Sequence, residues 1–280
     1  MPRVISKQES DSLYRTIKFI HDTFVDHGIP YWITGGNLLG AIRHGGLIPW
    51  DDDGDICIMK NSVSKLPKLV DYFNQEGFVL ERVTEEEKNA CTKVRNSCDW
   101  YVSMKKPGSL GVDIFVMKKV GDKITYANPY WEAADNGGKR CYYLSKHVFP
   151  LSPMRYGNFY VYVPNNPVEH LNRCYNDNWN SMSSIYFNHR TGKWIDSKPK
   201  KMKSSEFVHP KPPRDTCTAE VPHVPCRLSA QKSAKKSAKK SAKKSAKKSV
   251  RKSVRKSVRK SVRKSVRKSV RKSVRKSVRK

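Results

Sequence analysis

Acidic residues are scarce in this chain: 25 Asp and Glu stand against 56 Lys and Arg, giving a formal net charge of +31 over 280 residues. The imbalance is local. From Ser229 to Lys280 there is no acid, and the sequence repeats every four residues as one Ser-Ala-Gln-Lys, four Ser-Ala-Lys-Lys and eight Ser-Val-Arg-Lys units carrying 25 positive charges, which leaves +6 for everything before Ser229. A four-residue period does not match the 3.6-residue turn, so the Val positions would wind around a helix instead of lining one face. Dense like charge opposes compaction as well. Residues 229–280 are therefore expected to be disordered alone and to bind a polyanion, with an affinity that falls steeply with salt. Nucleic acid, acidic glycan and anionic lipid all satisfy that chemistry, and a solubilising tail without a single partner is the alternative.

Other absences narrow the class further. No apolar run is long enough to span a bilayer, so no transmembrane segment is expected. The opening Met1-Pro-Arg-Val-Ile-Ser-Lys-Gln-Glu9 lacks the apolar core of a cleavable leader. The seven cysteines, at 57, 91, 98, 141, 174, 217 and 226, form no Cys-x₂-Cys pair, which argues against a zinc ribbon. A soluble protein with reduced thiols, cytoplasmic or nuclear, is the expectation; a viral source would place it in the host cytoplasm or the virion.

What is present is concentrated between Ile33 and Ile56. Tyr31-Trp32-Ile33 reads as a strand, Gly35-Gly36 as a sharp turn, and Asn37 as the cap of a helix from Leu38 to about His44. Backbone N–H groups at a glycine turn opening a helix suit an anion such as phosphate. The chain re-extends through Asp55-Ile-Cys-Ile-Met59, and alternation puts Asp53 and Asp55 on one face, joined by Asp51 if the strand starts early enough. Like charges on one face repel, and a hard cation such as Mg²⁺ removes that penalty. A solvated polar turn is the alternative.

A third carboxylate stands in Leu110-Gly-Val-Asp-Ile-Phe-Val-Met117. Asp113 interrupts an apolar strand, where a charged group needs a cation, a donor cluster or a site to face. An edge strand with Asp113 toward water is the competing reading. For Arg43 the competing role is a helix-end charge, and for His44 a C-terminal helix residue before Gly45.

Around these motifs the organisation is α+β. A helix over about 9–26 carries Leu13, Ile17, Ile20 and Phe24 on one face, and a second over 64–76 carries Leu66, Leu69, Val70 and Phe73. Strands are expected near 78–82, 91–94, 101–104 and 111–116, and Asn166-Pro167 opens a helix to about Tyr175. There is no steady βαβ alternation. A catalytic domain is thus expected over 1–179, a polar Pro-rich linker with little core over 180–228, and the repeat tail over 229–280.

The chain resembles the LicD/fukutin-related family of nucleotidyltransferase-fold phosphotransferases. The likeness lies in Gly35-Gly36-Asn37-Leu38-Leu39-Gly40, Arg43-His44-Gly45-Gly46, Ile48-Pro49-Trp50-Asp51-Asp52-Asp53 with Asp55-Ile56, and Val112-Asp113-Ile114-Phe115; a distal part runs through Phe149-Pro150-Leu151, Val161-Tyr-Val-Pro164 and Leu171-Asn-Arg-Cys-Tyr175. It implies a nucleotidyltransferase-like mixed sheet flanked by helices, and transfer of phosphocholine or a polyol phosphate from a CDP-linked donor to a glycan. It further implies that Asp53 and Asp55 hold Mg²⁺ (or Mn²⁺) on the donor diphosphate, that Asp113 ligates metal or takes the acceptor's proton, and that Arg43 and His44 neutralise phosphate charge. The chain departs from the family at Asn37 (usually Thr or Ser), at Gly54 (usually Ile or Val, its loss expected to loosen the strand) and at Asn176 (usually Gly). Two other functions suit the same residues: a nucleotidyltransferase acting on a nucleic-acid or protein hydroxyl, and an inactive domain that binds polyanions through the tail.

Overall fold

The computed structural model describes residues 3–83, 99–134, 140–183, 187–188, 193–194 and 198–218. The chain divides into two units, Met1–Val224 and Pro225–Lys280. The second unit, and the strand expected near 91–94, lie outside the described residues.

Helix α1 (Lys7–Asp26) starts two residues before its predicted position because Ser6 and Glu9 form a capping box. Ser6 Oγ accepts from the Glu9 N–H at 3.2 Å, and Glu9 Oε2 accepts from the Ser6 N–H at 2.7 Å. Leu13, Ile17, Ile20 and Phe24 are all buried, as the periodicity requires, each contributing about 1.5–3 kcal/mol relative to exposure. The chain continues through β1 (Tyr31–Ile33), α2 (Gly35–Arg43) and β2 (Gly54–Met59). The second predicted helix is split: Lys60–Leu69 is a 3₁₀ segment, and only α3 (Val70–Gln75) is α-helical. Pro67 lies inside the 3₁₀ segment, where it supplies no N–H for an i→i−4 bond.

Strands β3 (Phe78–Arg82), β4 (Trp100–Met104), β5 (Gly111–Val120), β6 (Lys123–Tyr126) and β7 (Tyr143–Leu144) complete a seven-stranded sheet, with α4 (Pro129–Ala134) between the last two. Its main path runs β1-β2-β5-β4-β3, and β6 pairs with both β5 and β7. The β2–β5 pair is parallel and the other ladders are antiparallel, so the sheet is mixed, as an α+β fold requires. A short helix α5 (Ser145–Val148) leads to the hairpin β8 (Ser152–Tyr156) and β9 (Phe159–Val163), followed by α6 (Val168–Tyr175). Helix α1 packs on β4, β5 and β9, and α2 on β2 and β8.

The region read as a linker behaves differently where it is described. Residues 198–218 are docked on the domain: Tyr14 donates to the Pro210 carbonyl at 3.0 Å, Arg15 pairs with Asp215, and Thr218 N–H donates to the Asn158 carbonyl at 3.1 Å. Met202 and Thr216 are buried. Proline-rich composition suggested a spacer, but these prolines present carbonyls and ring faces to Tyr14 and Gly157. Among the described residues no helix is long and apolar enough to cross a membrane.

Candidate active site

Asp55 and Asp113 are brought together by strand register. β2 and β5 run parallel with Asp55 opposite Asp113, so both side chains leave the same face of neighbouring strands, about 4.8 Å apart. Asp113 lies on a strand with neighbours on both sides, so it is not at an edge. Asp53 sits one residue before β2. One carboxylate oxygen from each of Asp53, Asp55 and Asp113 lies within 4.8 Å of the others, and all three residues are half-buried.

The glycine turn packs directly against these acids. Gly35 has φ +54°, and a Cβ there would fall on Asp55 Oδ2 and within 2.9 Å of its Cγ. A Cβ on Gly36 would fall on Asp51 Oδ2 in the same way. The Gly36 N–H donates to Asp55 Oδ2 at 3.3 Å, so in this structure that amide orients an aspartate. Asp51 precedes β2 and lies over Gly36, beside the triad but outside it.

Asn37 is not the helix cap. The helix begins at Gly35 with Thr34 as N-cap, and Thr34 Oγ1 engages the Tyr143 hydroxyl at 2.6 Å and does not itself cap the helical amides. Asn37 is buried one turn in. Its Oδ1 accepts the Asp55 N–H at 2.7 Å and its Nδ2 donates to the Tyr156 hydroxyl at 2.7 Å. It therefore fastens α2 to the strand that carries Asp55 and to β8.

Arg43 and His44 point elsewhere. Arg43 Nη1 donates to the carbonyls of Trp179 at 2.7 Å and Met182 at 2.9 Å, and burial lowers its pKa to about 10. His44 Nε2 meets the Glu206 carbonyl at 3.0 Å, its ring stacks on Phe207, and burial and then Arg43 lower its pKa to about 4. A neutral imidazole does not cancel phosphate charge. Both side chains tether the end of α2 to the C-terminal part of the domain.

Gly54 lies in β2 opposite Val112. A Cβ there would come within 2.8 Å of a Val112 methyl, so the glycine lets β2 and β5 approach closely at the site. Cys57, within the same strand, is fully buried.

Two further residues escaped sequence reasoning. Asp99 is buried, accepting from the Val116 N–H at 2.8 Å and from Asn128 Nδ2 at 2.5 Å, and holds the middle of β5 in place. Tyr101 stands opposite Asp113 on β4, and Glu81 opposite Tyr101 on β3, so Glu81, Tyr101, Asp113 and Asp55 form one row across four strands. Alternation in Trp100-Tyr-Val-Ser-Met104 could have assigned Tyr101 to the polar face, but not its register.

The chain thus places a carboxylate cluster beside a glycine turn, on and just before adjacent strands of a mixed sheet. Residues 28–166 match the family described as LicD/FKTN/FKRP, nucleotidyltransferase domain, and the chain belongs to that family. It is 33% identical over 185 residues to the uncharacterized protein RP689 of Rickettsia prowazekii, a match covering 66% of this chain and 61% of that protein. It is 35% identical over 79 residues to the human ribitol 5-phosphate transferase FKRP (26% of this chain, 16% of that one). It is 32% identical over 76 residues to the lipopolysaccharide cholinephosphotransferase LicD of Haemophilus influenzae (27% and 28%). The chain thus spans less than two thirds of each of these relatives.

Proposed function

We propose that this chain moves a phosphorus-containing group, phosphocholine or a polyol phosphate, from a CDP-linked donor to a glycan hydroxyl. The observation that carries this reading is the convergence of Asp53, Asp55 and Asp113 on one face of β2 and β5 against the Gly35-Gly36 turn. The names of the relatives support the substrate class: one transfers ribitol 5-phosphate, another phosphocholine.

The donor set fits a hard divalent cation. Three half-buried carboxylates with oxygens this close repel strongly, and oxygen-only ligation suits Mg²⁺ or Mn²⁺, held by Asp53, Asp55 and Asp113 with Asp51 nearby. When bound, the cation neutralises charge on the donor diphosphate. The chain's own residues supply position and proton acceptance. Asp113 or a neighbouring carboxylate takes the acceptor hydroxyl's proton as its oxygen bonds to phosphorus, and the bond from that phosphorus to the CMP leaving group breaks. Asn37 keeps β2 and α2 in register during transfer, and Arg43 and His44 anchor the loop leading to the acids. The repeat over 229–280 holds a polyanion apart from this chemistry.

Calorimetry with CDP-choline, CDP-ribitol, CTP and ATP, each with Mg²⁺, tests the proposal. Binding of a CDP conjugate that Asp55→Ala abolishes supports it. Preference for a nucleoside triphosphate would replace it with nucleotidyl transfer, and no metal-dependent nucleotide binding would leave only a polyanion-binding protein. Deleting residues 229–280 should remove salt-sensitive polyanion retention and leave donor binding intact; joint loss would put the tail in the active site.

A further inference from the structure

Tyr101 is placed at the same site by two independent features of the sheet. Register sets it opposite Asp113, with Ser103 opposite Gly111 on the same pair of strands. The ring does not stand upright over Asp113. It leans diagonally across β5, so that a Cβ added at Gly111 would collide with the phenol oxygen, Cζ and Cε2. Gly111 is therefore the seat of this ring, and its lack of a side chain gives the phenol its place.

That place matters because of the parallel register on the other side of β5. Gly54 pairs with Val112, so continuing the ladder by one residue brings Asp53 toward Gly111. The phenol over Gly111 thus lies across β5 from Asp53, with Asp113 one step along. Burial, then Asp113, Glu81 and more weakly Asp53, raise its pKa, while the Ser103 hydroxyl opposes them. At neutral pH the group is an O–H: an uncharged donor bordering three carboxylates.

We propose that the Tyr101 hydroxyl, seated by Gly111, is a phosphate-binding group that donates to an oxygen of the donor diphosphate at the Asp53, Asp55, Asp113 centre. This rests on the phosphotransferase reading above. Carboxylates accept and repel anions, so a phosphorylated ligand needs protein donors beside the cation. Arg43 and His44 are engaged with carbonyls and the Gly36 amide with Asp55, so the phenol is a donor already at the rim of the acidic centre.

The test uses the full chain, Mn²⁺ alone, and inorganic pyrophosphate with Mg²⁺, by calorimetry. Tyr101→Phe removes one oxygen and keeps the ring, and should bind Mn²⁺ as the wild type does while binding Mg²⁺-pyrophosphate about tenfold to a hundredfold more weakly, the scale of a hydrogen bond to a charged group. Gly111→Ala keeps the hydroxyl but unseats it, and should lose pyrophosphate affinity to a similar extent. Unchanged pyrophosphate binding in Tyr101→Phe overturns the proposal and leaves the phosphotransferase reading standing. Parallel loss of Mn²⁺ affinity in Tyr101→Phe also overturns it, making the phenol a support for the carboxylates. If wild-type protein binds neither probe and Asp113→Asn behaves identically, the metal-site reading itself fails.

Discussion

Replacing Gly35 by Ala probes the site without touching an acidic residue. Two costs follow from the structure. The first is backbone: φ +54° is left-handed, and a Cβ there costs roughly 1–2 kcal/mol. For a domain of this size that lowers the thermal midpoint by about 2–4 °C per kcal/mol. The second is local: the new methyl falls on Asp55 Oδ2 and within 3.2 Å of Asp55 Cβ, so the whole carboxylate must retreat from its two partner acids. Cation coordination tolerates only about ±0.2 Å, and disturbing a ligand's supports typically costs ~10–100-fold in affinity. Gly121 is the control, because it has φ +61° with nothing within 4 Å of its would-be Cβ. Gly121→Ala should therefore reproduce the thermal loss and leave Mn²⁺ binding unchanged, whereas Gly35→Ala should show both effects. Equal Mn²⁺ affinity in the two variants, at equal thermal loss, would refute the placement of Asp55 as a ligand pressed on the glycine turn.

Three further outcomes can be measured on the same protein. Burial lowers the pKa of His21 to about 4 and that of His170 to about 3, well below the ordinary ~6.5. The unfolded chain therefore binds protons there before the native state does, and stability, complete above about pH 6.5, should fall by roughly 1.4 kcal/mol per pH unit for each histidine as pH drops toward 4. Urea titrations should show this slope reduced in His170→Phe, which keeps a ring on Tyr143; an unaltered slope would remove His170 from the account. Gly54→Val should destabilise by about 1–3 kcal/mol through collision with Val112, and Val112→Ala in the same chain should recover much of it, read as a non-additive double-mutant cycle. Asn176 ends α6 at φ 64°, ψ 167°, a region suited to glycine, so Asn176→Gly should stabilise by about 1 kcal/mol in thermal melts.

How much of this was legible in the residues depends on the range of each interaction. The α1 face and the strands over 31–33, 78–82 and 100–104 follow from local period, and Asp113 stands out as a charged side chain isolated in an apolar strand, whereas its meeting with Asp53 and Asp55 depends on the β2–β5 register. Asn37 was legible as a polar residue at a helix start but misassigned, because a side chain that caps locally can instead bridge to another strand, and only tertiary placement decides. For Arg43 and His44 the resemblance implied phosphate and the helix end offered an alternative; local spacing could not show their carbonyl partners at Trp179, Met182 and Glu206, more than a hundred residues away. Proline content hid the docking of residues 198–218, since proline breaks regular structure without preventing burial. Tyr101 needed the register of β4 against β5, which no single strand's alternation contains.

Register is also what makes the active centre fragile, because slipping β2 against β5 by one residue would send Asp113 to the opposite face from Asp55. Two contacts oppose that slip. The Val112 side chain occupies the space over Gly54, so a one-residue slip that brings Asp53 or Asp55 opposite Val112 meets a steric cost there. Asp99 takes the Val116 N–H within the same strand and is itself held by Asn128, which fixes β5 from outside the β2 ladder. The glycine at 54, the point where the chain departs from the Ile or Val usual in its family, is accordingly matched by a valine opposite. The glycine leaves room for that valine, and the three acidic groups keep their oxygens within 4.8 Å of one another.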